Sequence, residues 1–338
     1  MRILIIRFGS FGDCVLLCPL AAALKSAGAQ EVTVVTKRAW VELFSAATGV
    51  DRVVALEPSG GLAALEHIAR SHRDQGYLVI DAHNNWRSRF LSWRLGGAAA
   101  RFQKHYAARL GLIVLKRGAH IPTMLEQYAR LGTAAGFDGA LRPGGMSVPA
   151  ALVERIEEEA AGRATIAVAP GSRWPMKRWP GDAWGELAAR IAERSHVVLV
   201  GDDGDRAAAA PVAAALGDGA TDLTGRLSLM ETAAWIRRSD AFVGNDSGLM
   251  HLAESLGTPV VGIFGPTVEA FGYYPALEAS RIVERSLACR PCSRNGAVPC
   301  PRGTHECMTG IGVDAIESAL ASLLDGTGPR RVVLGGDG

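Results

Sequence analysis

Four short stretches of this sequence combine residue types that can hold an anion or position a carboxylate. In RFGSFGD, Arg7 to Asp13, the residues Gly9, Ser10 and Gly12 lead into an acid. Glycines let a backbone approach a ligand closely, and a helix start offers unpaired N–H groups with a partial positive charge. Asp13 is therefore either a helix N-cap or a carboxylate held at a ligand cleft. In APGSRWPMKRWP, Ala169 to Pro180, the Ser172 hydroxyl and the cations Arg173, Lys177 and Arg178 share one aromatic-flanked loop. That set suits a diphosphate, the bland alternative being a solvated basic loop. In GNDSGLMH, Gly244 to His251, a turn opens a helix. The N–H groups of Ser247, Gly248 and Leu249 can grip a phosphate there without a charged side chain. Asp246 is then left to orient a lysine or to bond a sugar hydroxyl. His251, one turn in, either packs under the turn or faces the same cleft. Finally, Cys289, Cys292, Cys300 and Cys307 form C-x2-C-x7-C-x6-C, with His305 nearby. The spacing suits a structural zinc or iron, reduced thiols and disulfides being the other readings.

These residues need a scaffold that presents loops along one edge. Runs such as Ile3–Ile6, Val32–Thr36, Tyr77–Asp81, Thr165–Pro170, His196–Val200, Ala241–Asn245 and Pro259–Gly265 are apolar throughout rather than alternating. Such strands belong to parallel sheets covered on both faces. Helical stretches separate them, including Cys14–Ala27, Pro180–Arg194 and Leu229–Arg238, which implies α/β units with right-handed crossovers. Proline and glycine in LRPGGMSVPA, Leu141–Ala150, mark a linker. Residues 1–155 and 156–325 are expected to form two Rossmann-like domains, with 326–338 a mobile tail. Cys14 and Cys18, four apart on one helical face, are expected in the core, as are Trp86 and Trp93.

The chain has 338 residues, 48% hydrophobic and 21% charged, and a formal net charge of +2. That balance excludes a general nucleic-acid binder on charge grounds. No secretory leader and no membrane-spanning run is legible, so a cytoplasmic protein able to touch a membrane surface is expected. Neither glycine loop has the G-x-G-x-x-G spacing of a dinucleotide site, which weighs against a dehydrogenase.

The four stretches, in this order and spanning essentially the whole chain, resemble glycosyltransferase family 9, the ADP-heptose:lipopolysaccharide heptosyltransferases. The Asp-Ser-Gly-Leu-x-His run followed by GIFGPT is the specific part. The resemblance implies a GT-B fold, α/β, with two Rossmann-like domains and parallel sheets facing across a cleft. It implies inverting transfer from a nucleotide-activated heptose, with no cofactor required for catalysis. Carried onto this sequence, Asp13 takes the place of the catalytic base and Lys177 that of the phosphate-binding lysine. Ser172, Arg178, Asp246, Ser247, Gly248, Leu249 and His251 fall on the donor site. One of Asp202, Asp203 and Asp205, with Asp203 put forward, takes the place of a ribose-binding carboxylate. Gly12, Asp81, Asn84 and Arg87 would meet the anionic lipopolysaccharide acceptor, with Arg89, Arg94, Arg101 and Lys104 as further cations. The cysteine segment looks more like that of the second-heptose enzymes. Another nucleotide sugar, a protein acceptor, or a non-catalytic nucleotide-sugar-binding protein are the competing functions.

Overall fold

Strands that are apolar on both faces must be covered on both faces, and the computed structural model of the protein satisfies this with two all-parallel sheets. It describes residues 1–117, 120–159, 164–217 and 220–335. The chain divides into two units, residues 1–105 with 122–147, and residues 106–121 with 148 onward.

The first unit contains β1 (Arg2–Ile6), α1 (Phe11–Ser26), β2 (Glu31–Lys37), α2 (Val41–Ser45), β3 (Arg52–Leu56), α3 (Gly61–His72), β4 (Tyr77–Asp81), α4 (Trp86–Arg94) and β5 (Ala100–Arg101). The sheet order is β3-β2-β1-β4-β5, every pair parallel. The chain then enters α5 (Tyr106–Leu115), which belongs to the second unit, and returns for α6 (Met124–Gly132).

The second unit continues with α7 (Ala150–Glu159), β6 (Thr165–Ala169), α8 (Gly181–Ala192), β7 (His196–Leu199), α9 (Arg206–Leu216), β8 (Ala220–Asp222), α10 (Leu229–Arg238), β9 (Ala241–Asn245), α11 (Gly248–Ser255), β10 (Val260–Phe264), β11 (Arg281–Arg285), α12 (Glu306–Thr309), α13 (Val313–Leu324) and β12 (Arg331–Leu334). Its sheet runs β12-β11-β10-β9-β6-β7-β8, again all parallel. Trp179 and Trp184 meet edge to face at 5.1 Å within its core. Cys14 and Cys18 are buried in α1, as expected of that apolar helix.

Five strands are not anticipated by the apolar runs: β3, β5, β8, β11 and β12. They are short or charge-bearing, RIVER and RVVL among them, and owe their conformation to a neighbouring strand rather than to a long apolar run. The segment 326–338, read from composition as a tail, thus contains a strand, while residues 336–338 lie outside the described residues. Trp86 and Trp93 also depart from expectation, being 61% and 67% exposed. The reason is the phase of α4. Ser88, Leu91 and Ser92 form its buried stripe, which turns both tryptophans outward.

Glu284 on β11 is buried and receives Tyr274 Oη, Arg290 and Arg331, the last supplied by β12. Ending the chain after Asp325 should therefore remove an edge strand and one of the two arginines that neutralise a buried acid. A loss of about 3 kcal/mol is expected, read as a lower midpoint in urea unfolding. An unchanged midpoint would mean that β12 adds nothing.

Candidate active site

In the first unit, β1 lies between β2 and β4, so the loops after β1 and β4 emerge side by side where the strand order diverges. Ligands of open α/β sheets bind at such edges. Gly9 has φ +133, and a Cβ there would come within 3.0 Å of Trp40 Nε1, so the loop requires glycine. Helix α1 begins at Phe11 with Ser10 as its N-cap, which makes Asp13 the third helical residue rather than the cap. Its Oδ2 accepts from Ser10 N at 3.3 Å and Ser10 Oγ at 2.8 Å. Arg7, a buried cation, meets the same oxygen at 2.5 Å and donates to the Ala82 carbonyl at 2.6 Å. Tyr128 Oη of α6 donates to the Asp13 carbonyl at 3.0 Å. Asp13 is thus fixed from β1, β4 and α6 at once.

The other first-unit candidates divide. Gly12 lies in the first turn of α1, and Asn84 and Arg87 follow β4 at the same edge. Asn84 adopts φ +51 and donates Nδ2 to the Phe102 carbonyl at 2.7 Å. Arg87 lies over the Trp86 ring at 5.2 Å. Asp81 is instead fully buried. Its carboxylate accepts from His83 N at 3.1 Å, Asn84 N at 2.7 Å and Arg101 Nε at 3.4 Å, so it shapes the turn after β4. Two residues at this edge escaped notice in the sequence, Arg7 and His83. Burial, then Arg7 and Lys104, lower the His83 pKa to about 4, so its ring is neutral near neutral pH. The available signal was position alone, His83 standing two residues after a strand-ending acid.

In the second unit, β6 lies between β7 and β9, and the candidate loops again share the carboxyl edge. Asn245, the buried last residue of β9, bolts the basic loop in place. Its Nδ2 donates to the Pro170 carbonyl at 2.8 Å, and its Oδ1 accepts from Trp179 N at 3.1 Å. Arg178 Nε folds back onto the Ser172 carbonyl at 2.8 Å. Lys177 Nζ meets Asp246 Oδ2 at 2.6 Å, the two side chains 13% and 6% exposed. Thr267 Oγ1 donates to the same carboxylate at 2.6 Å. Burial alone would raise the Asp246 pKa, but Lys177, Thr267 and His251 outweigh it and hold it below the usual range. Asp246 therefore stays charged and orients the lysine, the first of its two sequence readings.

Beside this pair, α11 starts at Gly248 with Ser247 as N-cap in extended conformation. The first N–H groups of the helix lack intrahelical acceptors, and Ser247 Oγ is buried without a hydrogen-bond partner among the described residues. Leu249 lies in this first turn. His251 is buried beneath the turn, its ring 6.1 Å from that of Tyr273.

The three acids after β7 separate clearly. Asp202 caps a 3-10 turn, accepting from Gly204 N at 2.8 Å. Asp203 is 86% exposed and pairs with Arg206 at 2.6 Å. Asp205 is the acid that meets the loop after β6. A Cβ on Gly171 would fall 2.0 Å from Asp205 Oδ1, so the carboxylate rests against that glycine. Burial, then Asp202, raise its pKa, with Arg178 opposing.

The four cysteines of the 289–307 segment are unbridged, and no group of three or more His, Cys, Asp or Glu among the described residues could hold a metal ion. Burial pushes the Cys307 thiol up to about 12, with Cys292 adding to it, while N–H groups of the 302–305 backbone outweigh burial and lower Cys300. What the segment visibly does is brace the lysine site. His305 Nε2 donates to the Met176 carbonyl at 2.8 Å, next to Lys177. Arg290 donates to the Thr267 carbonyl at 2.7 Å, next to the hydroxyl that holds Asp246.

Two outcomes are expected from this geometry. Lys177→Met should strand a buried carboxylate, costing about 3–5 kcal/mol and abolishing binding of ADP. Adding Asp246→Asn should restore most of the stability but none of the binding, which a double-mutant cycle of unfolding and calorimetry will read. ADP binding by the double variant would reduce Lys177 to a structural role. His305→Ala should weaken ADP binding about tenfold, one hydrogen bond to the loop being lost, with recovery in His305→Gln. Equal affinity in all three proteins would exclude the brace.

The glycosyltransferase family 9 (heptosyltransferase) profile matches residues 66–298. Lipopolysaccharide heptosyltransferase 2 of Salmonella typhimurium is 27% identical over 352 residues, covering 97% of this chain and 100% of that protein. Lipopolysaccharide heptosyltransferase 1 of Pseudomonas aeruginosa is 26% identical over 86% of each. The solved structure of the E. coli ADP-heptose lipopolysaccharide heptosyltransferase II, 22% identical, superposes with a TM-score of 0.76 over 96% of this chain and 99% of that one. Its fold is shared, which makes the two parallel-sheet units a GT-B architecture. A profile running through both units, together with relatives matched nearly end to end, leaves one assignment: the chain belongs to glycosyltransferase family 9, the heptosyltransferases.

Proposed function

We propose that this glycosyltransferase moves a heptose from ADP-heptose to the inner core of lipopolysaccharide with inversion at the anomeric carbon. The observation that carries the donor half is the buried Lys177–Asp246 pair beside the open start of α11. A lysine held in place next to helix-start N–H groups is built for a diphosphate. The substrate and acceptor follow from the relatives, whose names specify heptose and lipopolysaccharide.

The acceptor hydroxyl attacks the anomeric carbon as the bond to the diphosphate oxygen breaks. Asp13 takes the hydroxyl proton, and Arg7 holds that carboxylate in place beforehand. Charge gathers on the departing ADP, where Lys177 and the N–H groups of Ser247, Gly248 and Leu249 stabilise it. Ser172 and Arg178 shape the loop around the phosphates, and His251 supports the turn from below. Asp205, rather than Asp203, receives the ribose hydroxyls. Gly12, Asn84 and Arg87 contact the anionic acceptor, with Asp81 fixing their turn. No step calls for a cofactor. Zinc or iron at Cys289, Cys292, Cys300 and Cys307 would be structural only, and a metal count paired with a thiol titration of the untagged protein distinguishes an ion from four thiols. The cysteine segment favours the second-heptose reaction. The protein works in the cytoplasm against the inner membrane surface. Among the described residues, no helix is long and apolar enough to cross a membrane.

Asp13→Asn tests the base. It keeps the Ser10 contacts but removes the charge facing buried Arg7, so about 3 kcal/mol of stability should go with it. In the folded protein, ADP-heptose affinity should persist while turnover falls about 10²–10⁴-fold. Near-normal turnover would sink the mechanism. Calorimetry with ADP-heptose against UDP-, GDP- and CDP-sugars checks the donor, and preference for another nucleotide would overturn that part alone.

A further inference from the structure

The loops after β1 and β4 meet ring to ring. Ile6 and Asp81 are register partners at the ends of these strands. Phe8 and His83, each two residues further on, come together with ring centroids 5.5 Å apart and planes at 60°. The His83 backbone N–H donates to Asp81 Oδ1 at 3.1 Å. The carbonyl of Ala82, the residue before it, takes Arg7, the cation that meets Asp13. Asp13 lies close enough to act on the ring electrostatically, as do Arg7, Lys104 and Asp81. All of these groups belong to the first unit.

The two ring nitrogens of His83 differ. Nδ1 is buried with no hydrogen-bond partner among the described residues. Other histidines are paired. His72 Nδ1 lies 2.8 Å from the Ile68 carbonyl oxygen, His196 Nε2 3.0 Å from Thr221 Oγ1, and His305 Nε2 2.8 Å from the Met176 carbonyl oxygen. A proton on His83 Nδ1 would be a buried donor without an acceptor, which proteins avoid more strictly than an idle lone pair. The proton of the neutral ring therefore sits on Nε2, the nitrogen of this partly exposed residue that is not sealed. Burial, Arg7 and Lys104 keep the ring neutral near neutral pH. A neutral N–H is what a base can tolerate beside it. An imidazolium would pair with Asp13 and hold back the lone pair that must take a proton. A neutral donor binds an oxygen of the substrate and leaves the carboxylate free to act.

We propose that His83 positions the acceptor: its Nε2–H donates to an oxygen of the sugar whose hydroxyl Asp13 deprotonates, and so aims that hydroxyl at the anomeric carbon. The proton on Nε2 stays there throughout, and Asp13 alone receives one. The inference rests on the reading of Asp13 as the base and of this edge as the acceptor site.

Steady-state kinetics of the whole protein with ADP-heptose and a deacylated inner-core oligosaccharide test it, using wild type, His83→Phe and His83→Gln. Phenylalanine keeps a ring against Phe8 but has no donor, and glutamine places an N–H near the position of Nε2. His83→Phe should raise the acceptor KM about tenfold, the scale of one lost hydrogen bond, and His83→Gln should return it to within about threefold of wild type. Melting temperature and the KM for ADP-heptose should not change. Equal acceptor KM in all three proteins would overturn the proposal, as would a packing role, seen as a lower melting temperature with both KM values moving together. A fall in kcat alone that glutamine does not rescue would make His83 the base and overturn it as well. A second measurement needs no variant to be active. In wild type carrying isotope-labelled histidine, the nuclear magnetic resonance signal absent from His83→Gln should report the Nε2–H tautomer and shift when the oligosaccharide is added without donor. An Nδ1–H tautomer or an unmoved signal would count against the proposal. If wild type transfers heptose to another acceptor instead, the parent reading fails on its substrate, and the same comparison of three proteins on that acceptor decides the role of His83.

Discussion

The proposed donor site depends on one buried ion pair. Lys177 and Asp246 come from loops after different strands, and neither charge would be tolerated there alone. Their attraction offsets the cost of burial only because the neighbouring geometry is good. Thr267 adds a hydrogen bond, Asn245 ties the lysine loop to the end of β9, and the 289–307 segment grips the backbone on both sides. A lysine held this way reaches its ligand with little orientational freedom left to lose, which is the condition for strong electrostatic stabilisation of a leaving diphosphate.

Parallel strands make that convergence possible. In each unit the functional loops follow strands that are neighbours in the sheet but distant in the chain, β1 with β4 and β6 with β9. Close approach then decides side-chain size. Gly9 leaves room for Trp40, and Gly171 for Asp205. The first unit solves a similar problem with a buried arginine. Arg7 bridges the Asp13 carboxylate to the end of β4, so the residue proposed as the base also ties two loops together.

Helix α5 connects these themes to the exterior. It arises between two segments of the first unit yet is fastened to the second through Arg109 and Lys116, and Lys116 holds the same cysteine segment that braces the lysine site. Its inner side serves the fold while its outer side stays apolar and open.

Much of this was legible in the residues themselves. Continuous apolar runs specified parallel strands, and the motifs at their ends named Asp13, Lys177 and the Asp246–Leu249 turn, because anion binding leaves a compositional trace in glycines, hydroxyls and cations. The resemblance of those motifs named the family. The sequence could not say which partner each charge would take. Asp13 read equally well as a cap, yet it is the third residue of a helix that Ser10 caps. Asp203 was preferred over Asp205, yet a one-turn cap by Asp202 swings Asp203 to Arg206 and Asp205 onto Gly171. Trp86 and Trp93 share a helical side by spacing, but only the stripe that actually packs, Ser88, Leu91 and Ser92, fixes that side as the outer one. Short strands such as β12 have too few apolar residues to announce themselves and exist because β11 offers them a ladder. Local pattern determined which residues could bind and where strands end. Contacts between residues far apart in the chain decided which carboxylate faces which cation, since that depends on distances no spacing along the sequence encodes.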